Sequence, residues 1–160
     1  MYRLLLIVLI TLTLSCSKEE DTSAVPTWTI QNIVYNSKTV VVGTNDTRWY
    51  DVTSPGSASV VNFITIEFSK PLPTVAGTYD IGGTGSDATY IKTINAVVNS
   101  TSPNKELYLF DTPSKVGSAT LTINNGKRFI TFGTITVKRA NASGTITSTN
   151  ATLSCNFLEF

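Results

Sequence analysis

The sequence predicts an all-β domain, a single antiparallel β-sandwich of about nine strands, with a closed β-barrel as the alternative. After Pro26, apolar residues alternate with Thr, Ser and other polar residues over short runs. Such alternation is typical of strands with one buried face and one solvated face. Turn residues recur about every 8 to 12 positions, as in sandwiches and barrels. No stretch after the N-terminal leader has helical periodicity, so no helix is expected in the domain.

The order of the elements follows from the same alternation. Trp28, Ile30 and Val34 fall on one face of a first strand, which places Trp28 in the core. An Asn36-Ser37 turn follows, and residues 43–59 are expected to form the longest polar connection of the chain. Further strands are expected at Thr39–Val42, at a segment with Ile64, Ile66 and Phe68 on its buried face, at Gly77–Ile81, 89–98 and 107–110, and in a final hairpin of 144–148 with 152–160.

The clearest hairpin is predicted around Asn125-Gly126. This dipeptide is typical of a two-residue type I′ turn, because both central residues of that turn require positive φ. Beyond Gly133 the apolar positions change parity, which predicts a bulge near that residue. The register set by the turn brings four apolar side chains onto one face: Leu121 opposite Ile130, and Ala119 opposite Phe132.

Composition limits the chemistry. The 160-residue chain carries 12 basic and 11 acidic residues and contains no histidine. Residues 27–160 are long enough to form one domain with its own core. The balanced charge gives no positive footprint for nucleic acid, so no nucleic-acid partner is expected. Without histidine, Ser-His-Asp catalysis, Cys-His catalysis and histidine-dependent zinc sites are excluded.

The chain contains two cysteines, Cys16 and Cys155. Cys155 alternates with Leu153 and Phe157 on one face of the last predicted strand. We therefore expect it to be buried as a small hydrophobic residue, since a reactive thiol needs exposure and a nearby positive group.

The N-terminal segment has the order of a secretion signal. Arg3 supplies a positive start, residues 4–14 are apolar apart from two threonines, and Ser15 precedes Cys16. The apolar run is too short to cross a bilayer as a helix, which needs roughly 20 residues. This order resembles a bacterial lipoprotein signal, in which the leader is removed and the cysteine becomes the acylated first residue. The resemblance implies that residues 1–15 are the signal peptide and that Cys16 is lipidated.

The residues after Cys16 carry a second resemblance. The run Ser17, Lys18, Glu19, Glu20 and Asp21 is similar to the short Lys-plus-acidic export signal of Bacteroidota surface lipoproteins. It implies that residues 16–26 form a lipidated flexible tether with an export motif. The protein is then a lipid-anchored partner of the outer membrane, exposed at the cell surface. A periplasm-facing placement and a purely solvated linker stay open as alternatives.

The candidate ligand-binding residues are Arg48, Trp49, Tyr50 and Asp51, which lie in the long predicted connection. A flat indole and a phenol on a polar loop stack against sugar rings, while the two charged groups orient hydroxyls by hydrogen bonds. In the alternative interpretation, the Trp-Tyr pair closes the end of the core. The sequence leaves open whether Trp49 and Tyr50 bind or pack.

Glycine and acidic residues suggest no site of their own. Residues 82–87 match part of a calcium-binding nonapeptide repeat, but one copy cannot build a site that forms between successive coils. Glu67, Asp80, Asp87 and Asp111 offer carboxylates for a glycosidase, yet sequence spacing does not give their separation. We therefore expect no cofactor, no metal and no catalytic residue.

The sequence favours a non-catalytic surface module that binds a glycan, a matrix component or an envelope protein. One alternative is a lipocalin-like barrel around a small apolar ligand, which predicts a continuous interior cavity. Another is a carboxylate-based polysaccharide hydrolase, which predicts two acids facing each other in one cleft. The ligand and the oligomeric state are not determined by the sequence.

Overall fold

The fold is described from a computed structural model. The structure describes residues 25–53, 60–83, 88–99, 105–110, 114–141, 143 and 145–160. The predicted signal peptide, Cys16 and the export motif lie outside these residues, as do Asp87 and Asp111. Within the described ranges all regular structure is β-strand, and none of it is a helix able to span a membrane.

Eleven strands form in the described part of the chain, two more than the sequence predicts. They are β1 (Thr27–Ile30), β2 (Ile33–Asn36), β3 (Thr39–Val42), β4 (Asp46–Thr53), β5 (Val60–Phe68), β6 (Gly77–Ile81), β7 (Ile91–Val98), β8 (Glu106–Phe110), β9 (Gly117–Asn124), β10 (Lys127–Ala140) and β11 (Ile146–Glu159). Compared with the predicted elements, the first strand is a hairpin, β4 is an added strand within the predicted long connection, and the two strands of the predicted final hairpin form one strand.

The all-β prediction is confirmed, and the sheet closes as the barrel alternative describes. All eleven strands belong to one hydrogen-bonded sheet, so the two separate sheets of a sandwich are not formed. Five strands close a ring in the order β6, β7, β8, β10 and β9. β8 links the ring because it pairs with β7 along one edge and with β10 along the other.

The other six strands extend this ring on two sides. β5, β4 and β3 continue the sheet from β7, and β11, β1 and β2 continue it from β10. β2 and β3 follow each other in the chain, and the two extensions meet between them. The Ser37 N–H donates to the Pro26 carbonyl at 2.8 Å, and the Lys38 N–H donates to the Tyr50 carbonyl at 2.9 Å. The chain therefore passes from the edge of β1 to the edge of β4 at this point, which we call the seam.

The hairpin between β9 and β10 confirms the predicted turn. Asn125 and Gly126 have φ values of 50° and 78°, as a type I′ turn requires. Leu121 pairs with Ile130 and Ala119 with Phe132. The register between β10 and β11 shifts between Phe132 and Ile135, which confirms the bulge near Gly133.

The predicted first strand is wrong beyond Ile30. Gln31 and Asn32 both have positive φ, 46° and 68°, and reverse the chain. Val34 is then 59% exposed, and Tyr35 is buried in its place. The Tyr35 ring stacks on that of Trp28, with ring centroids 4.3 Å apart. The turn escaped sequence analysis because it contains no glycine, although asparagine tolerates this backbone region.

The predicted final hairpin is also wrong, because residues 146–159 form one continuous strand paired with β10. The chain reverses before this strand, where Asn141 Oδ1 accepts hydrogen bonds from the backbone N–H groups of Ser143 and Thr145. Phe157 has φ of 64° and lies where the β10–β11 register shifts. Leu158, instead of Phe157, continues the buried face of Leu153 and Cys155.

Side chains fill the interior of the closed sheet. Trp28, Trp49, Phe68, Tyr108 and Phe110 are among the largest fully buried side chains. They belong to one cluster whose buried members lie between Trp28 and Leu158. A chain that begins at Thr22 therefore keeps every buried member of this core.

Candidate functional site

The four predicted binding residues lie on a strand, so the predicted long loop is wrong at this point. β4 pairs with β3 on one side and with β5 on the other. Successive side chains of a strand point to opposite faces of a sheet. Trp49 and Asp51 consequently lie on the inner face, whereas Arg48 and Tyr50 lie on the outer face. The structure separates the predicted constellation into two pairs.

Trp49 is part of the core. Its side chain is 1% exposed, and its Nε1 donates a hydrogen bond of 2.7 Å to the backbone carbonyl of Glu159. The ring of Phe160 meets the indole edge to face at a centroid distance of 5.8 Å. This contact joins β4 to the end of β11 across the seam, which is the closing role of the alternative interpretation.

Asp51 lies inside the sheet and is 7% exposed. Burial raises the pKa of Tyr35, and the negative charges of Glu106 and Asp51 raise it further. Burial and the two carboxylates therefore all favour the neutral form of this phenol. Neither Tyr35 nor Glu106 was predicted as a site residue, since neither belongs to a recognisable motif.

Glu106 is the centre of a polar network at this end of the interior. One of its oxygens accepts a bond of 2.6 Å from the Tyr108 hydroxyl, and the other accepts a bond from Arg139. The Tyr108 hydroxyl also lies 3.3 Å from Gln31 Oε1. Burial, together with this bond to Glu106, raises the pKa of Tyr108. Because its partners satisfy Glu106, the network fits a structural role better than that of a free general acid.

The outer face of β4 belongs to a surface that we call the outer platform, formed by Arg48, Tyr50, Phe63, Thr65 and Asn95. Tyr50 pairs with Phe63 on β5, and Arg48 pairs with Thr65. Asn95 pairs with Thr65 from β7. The residues between them in sequence, such as Ile64, are core residues. The platform side chains therefore point away from the core, on adjacent rows of one rigid sheet.

The platform combines two aromatic rings with one cation. The rings of Tyr50 and Phe63 are 5.6 Å apart and tilted by 47°. The Arg48 guanidinium lies over the Phe63 ring, 5.0 Å from its centroid. Arg48 Nε also donates to Thr65 Oγ1 at 2.8 Å. This bond uses one of the five guanidinium donors and fixes the group beside the two rings.

Of the four carboxylates considered for a hydrolase, Glu67 and Asp80 lie in the described part of the chain, and each is paired with a lysine. Glu67 pairs with Lys92 at 3.4 Å, and Asp80 pairs with Lys115 at 2.7 Å. Each acid therefore has its own lysine at the surface. No group of three or more potential metal ligands occurs among the residues that the structure describes.

Cys155 is buried, at 2% exposure. Its Sγ donates to the Ile130 carbonyl at 3.3 Å. Burial raises the pKa of the thiol. The prediction of an unreactive, packed cysteine agrees with this environment.

Two concave surfaces are present in the described structure. One has a volume of about 280 Å³ and lies at the seam, and we call it the seam pocket. It is lined by Pro26, Ser37, Lys38, Thr39, Val40, Trp49, Glu159 and Phe160. The other has a volume of about 360 Å³ and is lined largely by polar residues: Gln31, Asn32, Thr136, Asn150, Ala151 and Thr152. Neither was predicted, because each joins segments that are distant in sequence.

Comparisons with known proteins give no relative. No family model, curated protein or solved structure matches the chain. Functional inference therefore rests on the residues of this chain alone.

Proposed function

We propose that this protein is a non-catalytic binding module, held at the outer membrane by lipid on Cys16, that presents the outer platform to a glycan. The observation that carries the proposal is the grouping of Arg48, Tyr50 and Phe63 on the outer face of adjacent strands. Side chains on strands are held more rigidly than side chains on loops, so the rings are already placed for stacking.

The chemistry of the platform suits a sugar. Apolar faces of sugar rings stack on aromatic rings, while charged and amide groups bind the hydroxyls around the ring. The Tyr50 and Phe63 rings supply the stacking surface, and Arg48 supplies directed donors. Asn95 lies beside Thr65 on the same face, and its Oδ1 is buried without a described hydrogen-bond partner.

A glycan array probed with residues 22–160 tests this assignment. We expect Tyr50→Ala and Phe63→Ala each to weaken binding by about three- to tenfold, since an aromatic contact contributes roughly 0.5–1.5 kcal/mol. Tyr90→Ala is the matched control, because Tyr90 precedes β7 and lies outside the platform. Binding that is equal in all variants would exclude the platform as the site. Failure of the unaltered protein to bind any glycan would exclude a sugar ligand.

The anchoring part of the proposal is supported by the leader and by the charged run after Cys16. Several acyl chains hold a protein stably on a membrane, whereas one chain is marginal. Mass spectrometry of the native protein is expected to show an acylated Cys16 and no residues before it. Protease treatment of intact cells tests the outward placement, and full protection would indicate that the domain faces the periplasm.

The two alternatives have less support. A lipocalin-like carrier requires a continuous cavity, whereas Trp28, Trp49 and Tyr108 fill the described interior. A polysaccharide hydrolase requires two acids in one cleft, and Glu67 and Asp80 bind separate lysines.

A further inference from the structure

The edge of β3 that faces away from β4 is available for hydrogen bonding. Among the described strands β3 pairs with β4 alone. The Gly43 N–H donates to the Asp46 carbonyl at 2.8 Å, which shows which residues along β3 direct their peptide groups toward β4. In an antiparallel pair every second residue bonds to the partner strand, so the peptide groups of Val40 and Val42 point away from β4. The valines of β3 are 39% to 56% exposed.

β3 is short, at four residues, but three other common protections against strand addition are absent from it. Natural edge strands commonly carry a proline, a charged side chain or a bulge. β3 has the sequence Thr-Val-Val-Val and contains none of the three. Its backbone donors and acceptors can therefore pair with an extended chain.

The seam pocket includes residues of this edge strand. Thr39 and Val40 line it together with Glu159 and Phe160. Trp49 also lines it, and the Trp49 hydrogen bond to the Glu159 carbonyl joins β4 to the end of β11 there. A volume of about 280 Å³ is just below the range of pockets for small molecules, roughly 300–1,000 Å³. The pocket thus suits one inserted side chain better than a large ligand.

Backbone hydrogen bonds join the two sheet extensions at the Lys38 end of the pocket, which we call the closed end. The hydrogen bonds from Ser37 to Pro26 and from Lys38 to Tyr50 tie the two extensions of the sheet together there. A strand that pairs with β3 cannot continue past this point and must end beside Lys38. If the added strand is antiparallel to β3, the end beside Lys38 is its carboxyl terminus.

The charges around the closed end favour a carboxylate. Lys38 lines the pocket, and Glu159, which also lines it, is already paired with Lys127 at 2.8 Å. Arg128 lies over the Phe160 ring, 4.8 Å from its centroid. Ser37 Oγ is buried without a hydrogen-bond partner among the described residues, and its hydroxyl can donate to an anion. A strand parallel to β3 would instead begin beside Lys38, and its N-terminal ammonium group would face the like charge of that lysine.

We propose that the seam pocket binds the carboxyl-terminal residue of an extended peptide from a partner protein. The peptide adds to β3 as an antiparallel strand, its last side chain enters the pocket over Trp49, and its terminal carboxylate lies at Lys38 and Ser37. This site is separate from the outer platform, so the two assignments can fail independently.

Selection of short random peptides with free carboxyl ends on immobilised residues 22–160 tests the proposal. We expect the selected peptides to end in an apolar residue and to lose about tenfold in affinity when the carboxylate is amidated, as for one charge-assisted hydrogen bond. N-methylation of successive peptide amides is expected to weaken binding at alternate positions only, since only every second amide faces β3.

Variants of the protein give the second arm of the test. Lys38→Met is expected to weaken binding of a selected peptide by about tenfold, whereas Lys115→Met, which removes a cation paired elsewhere with Asp80, is expected to leave it unchanged. Val40→Pro removes an N–H that is not bonded to β4 and is expected to abolish binding while preserving the circular dichroism spectrum.

Three results would overturn the proposal. The first is a selection that enriches no peptide, and the second is equal binding of the free and amidated forms. The third is association of two copies of this chain in sedimentation experiments, abolished by Val41→Lys, because β3 would then pair with a second copy instead of a peptide end.

Discussion

Replacement of Trp49 by alanine separates a packing role from a binding role for the most prominent predicted site residue. The side chain is 1% exposed, and a buried indole of this kind removes about 200 Å² from water, or roughly 5 kcal/mol at 25 cal/mol per Å². Alanine retains a small part of that burial, and buried Trp→Ala changes cost about 3–5 kcal/mol. Loss of the donor to Glu159 adds to this, because the carbonyl loses its bond. We expect the free energy of unfolding to fall by about 4 kcal/mol.

Urea denaturation followed by circular dichroism measures this change without depending on tryptophan fluorescence. A loss of about 4 kcal/mol corresponds to a melting temperature lower by roughly 10–16 °C in a domain of this size. Tyr50→Ala, one residue along the same strand but on the outer face, is the matched control, with an expected loss of about 1 kcal/mol. If the free energy of unfolding of Trp49→Ala instead lay within about 1 kcal/mol of that of the unaltered protein, Trp49 would not be packed as described.

Three further predictions follow from local geometry. Gly126→Ala is expected to lower the free energy of unfolding by about 1 kcal/mol in urea denaturation. The cost comes from the backbone alone, because φ is 78° and a new Cβ would meet no atom within 4 Å. An unchanged denaturation midpoint would contradict the type I′ turn. The pKa of Tyr108 is raised above its ordinary 10.0 in the folded state, so the unfolded chain loses this proton first as the pH rises. The free energy of unfolding is therefore expected to fall above about pH 10 by roughly 1.4 kcal/mol per pH unit for this group. Tyr108→Phe should reduce that slope in alkaline denaturation, and an unchanged slope would contradict the burial. Cys155 is expected to react with a disulfide reagent only as fast as the protein unfolds, since its thiol is buried with a raised pKa; rapid reaction in the native protein would show that the strand opens locally.

Local rules predicted the parts of the fold that depend on neighbouring residues. Asn125-Gly126 specifies its own turn, and the turn fixes the pairing of Leu121 with Ile130. The bulge near Gly133 followed from a change of parity within one strand. These features were accessible because backbone preference and apolar alternation agree within a few residues.

The features that sequence analysis missed depend on contacts between distant segments. Arg48 and Asp51 make their segment look like a loop, yet β5 provides a partner along the whole of β4. Asp51 lies inside, where an acidic residue breaks the expected alternation. β8 pairs with both β7 and β10, and no pattern within its five residues indicates that it closes a ring. The outer platform was found only in part for the same reason, since Phe63 comes from another strand.

β4 contributes to both proposed sites through alternate residues. Tyr50 belongs to the outer platform and Trp49 to the lining of the seam pocket, and the two side chains lie on opposite faces of one strand. Substitutions that leave the strand in place should therefore act on one site only, because the hydrogen bond between Lys38 and Tyr50 joins backbone groups and survives both side-chain changes. We expect Tyr50→Ala to weaken glycan binding without changing peptide binding, and Lys38→Met to do the reverse. In isothermal titration of the double variant, each affinity is expected to equal that of the matching single variant. If either substitution changed both affinities, the glycan and the peptide would share one site, and the separation of β4 into two working faces would be wrong.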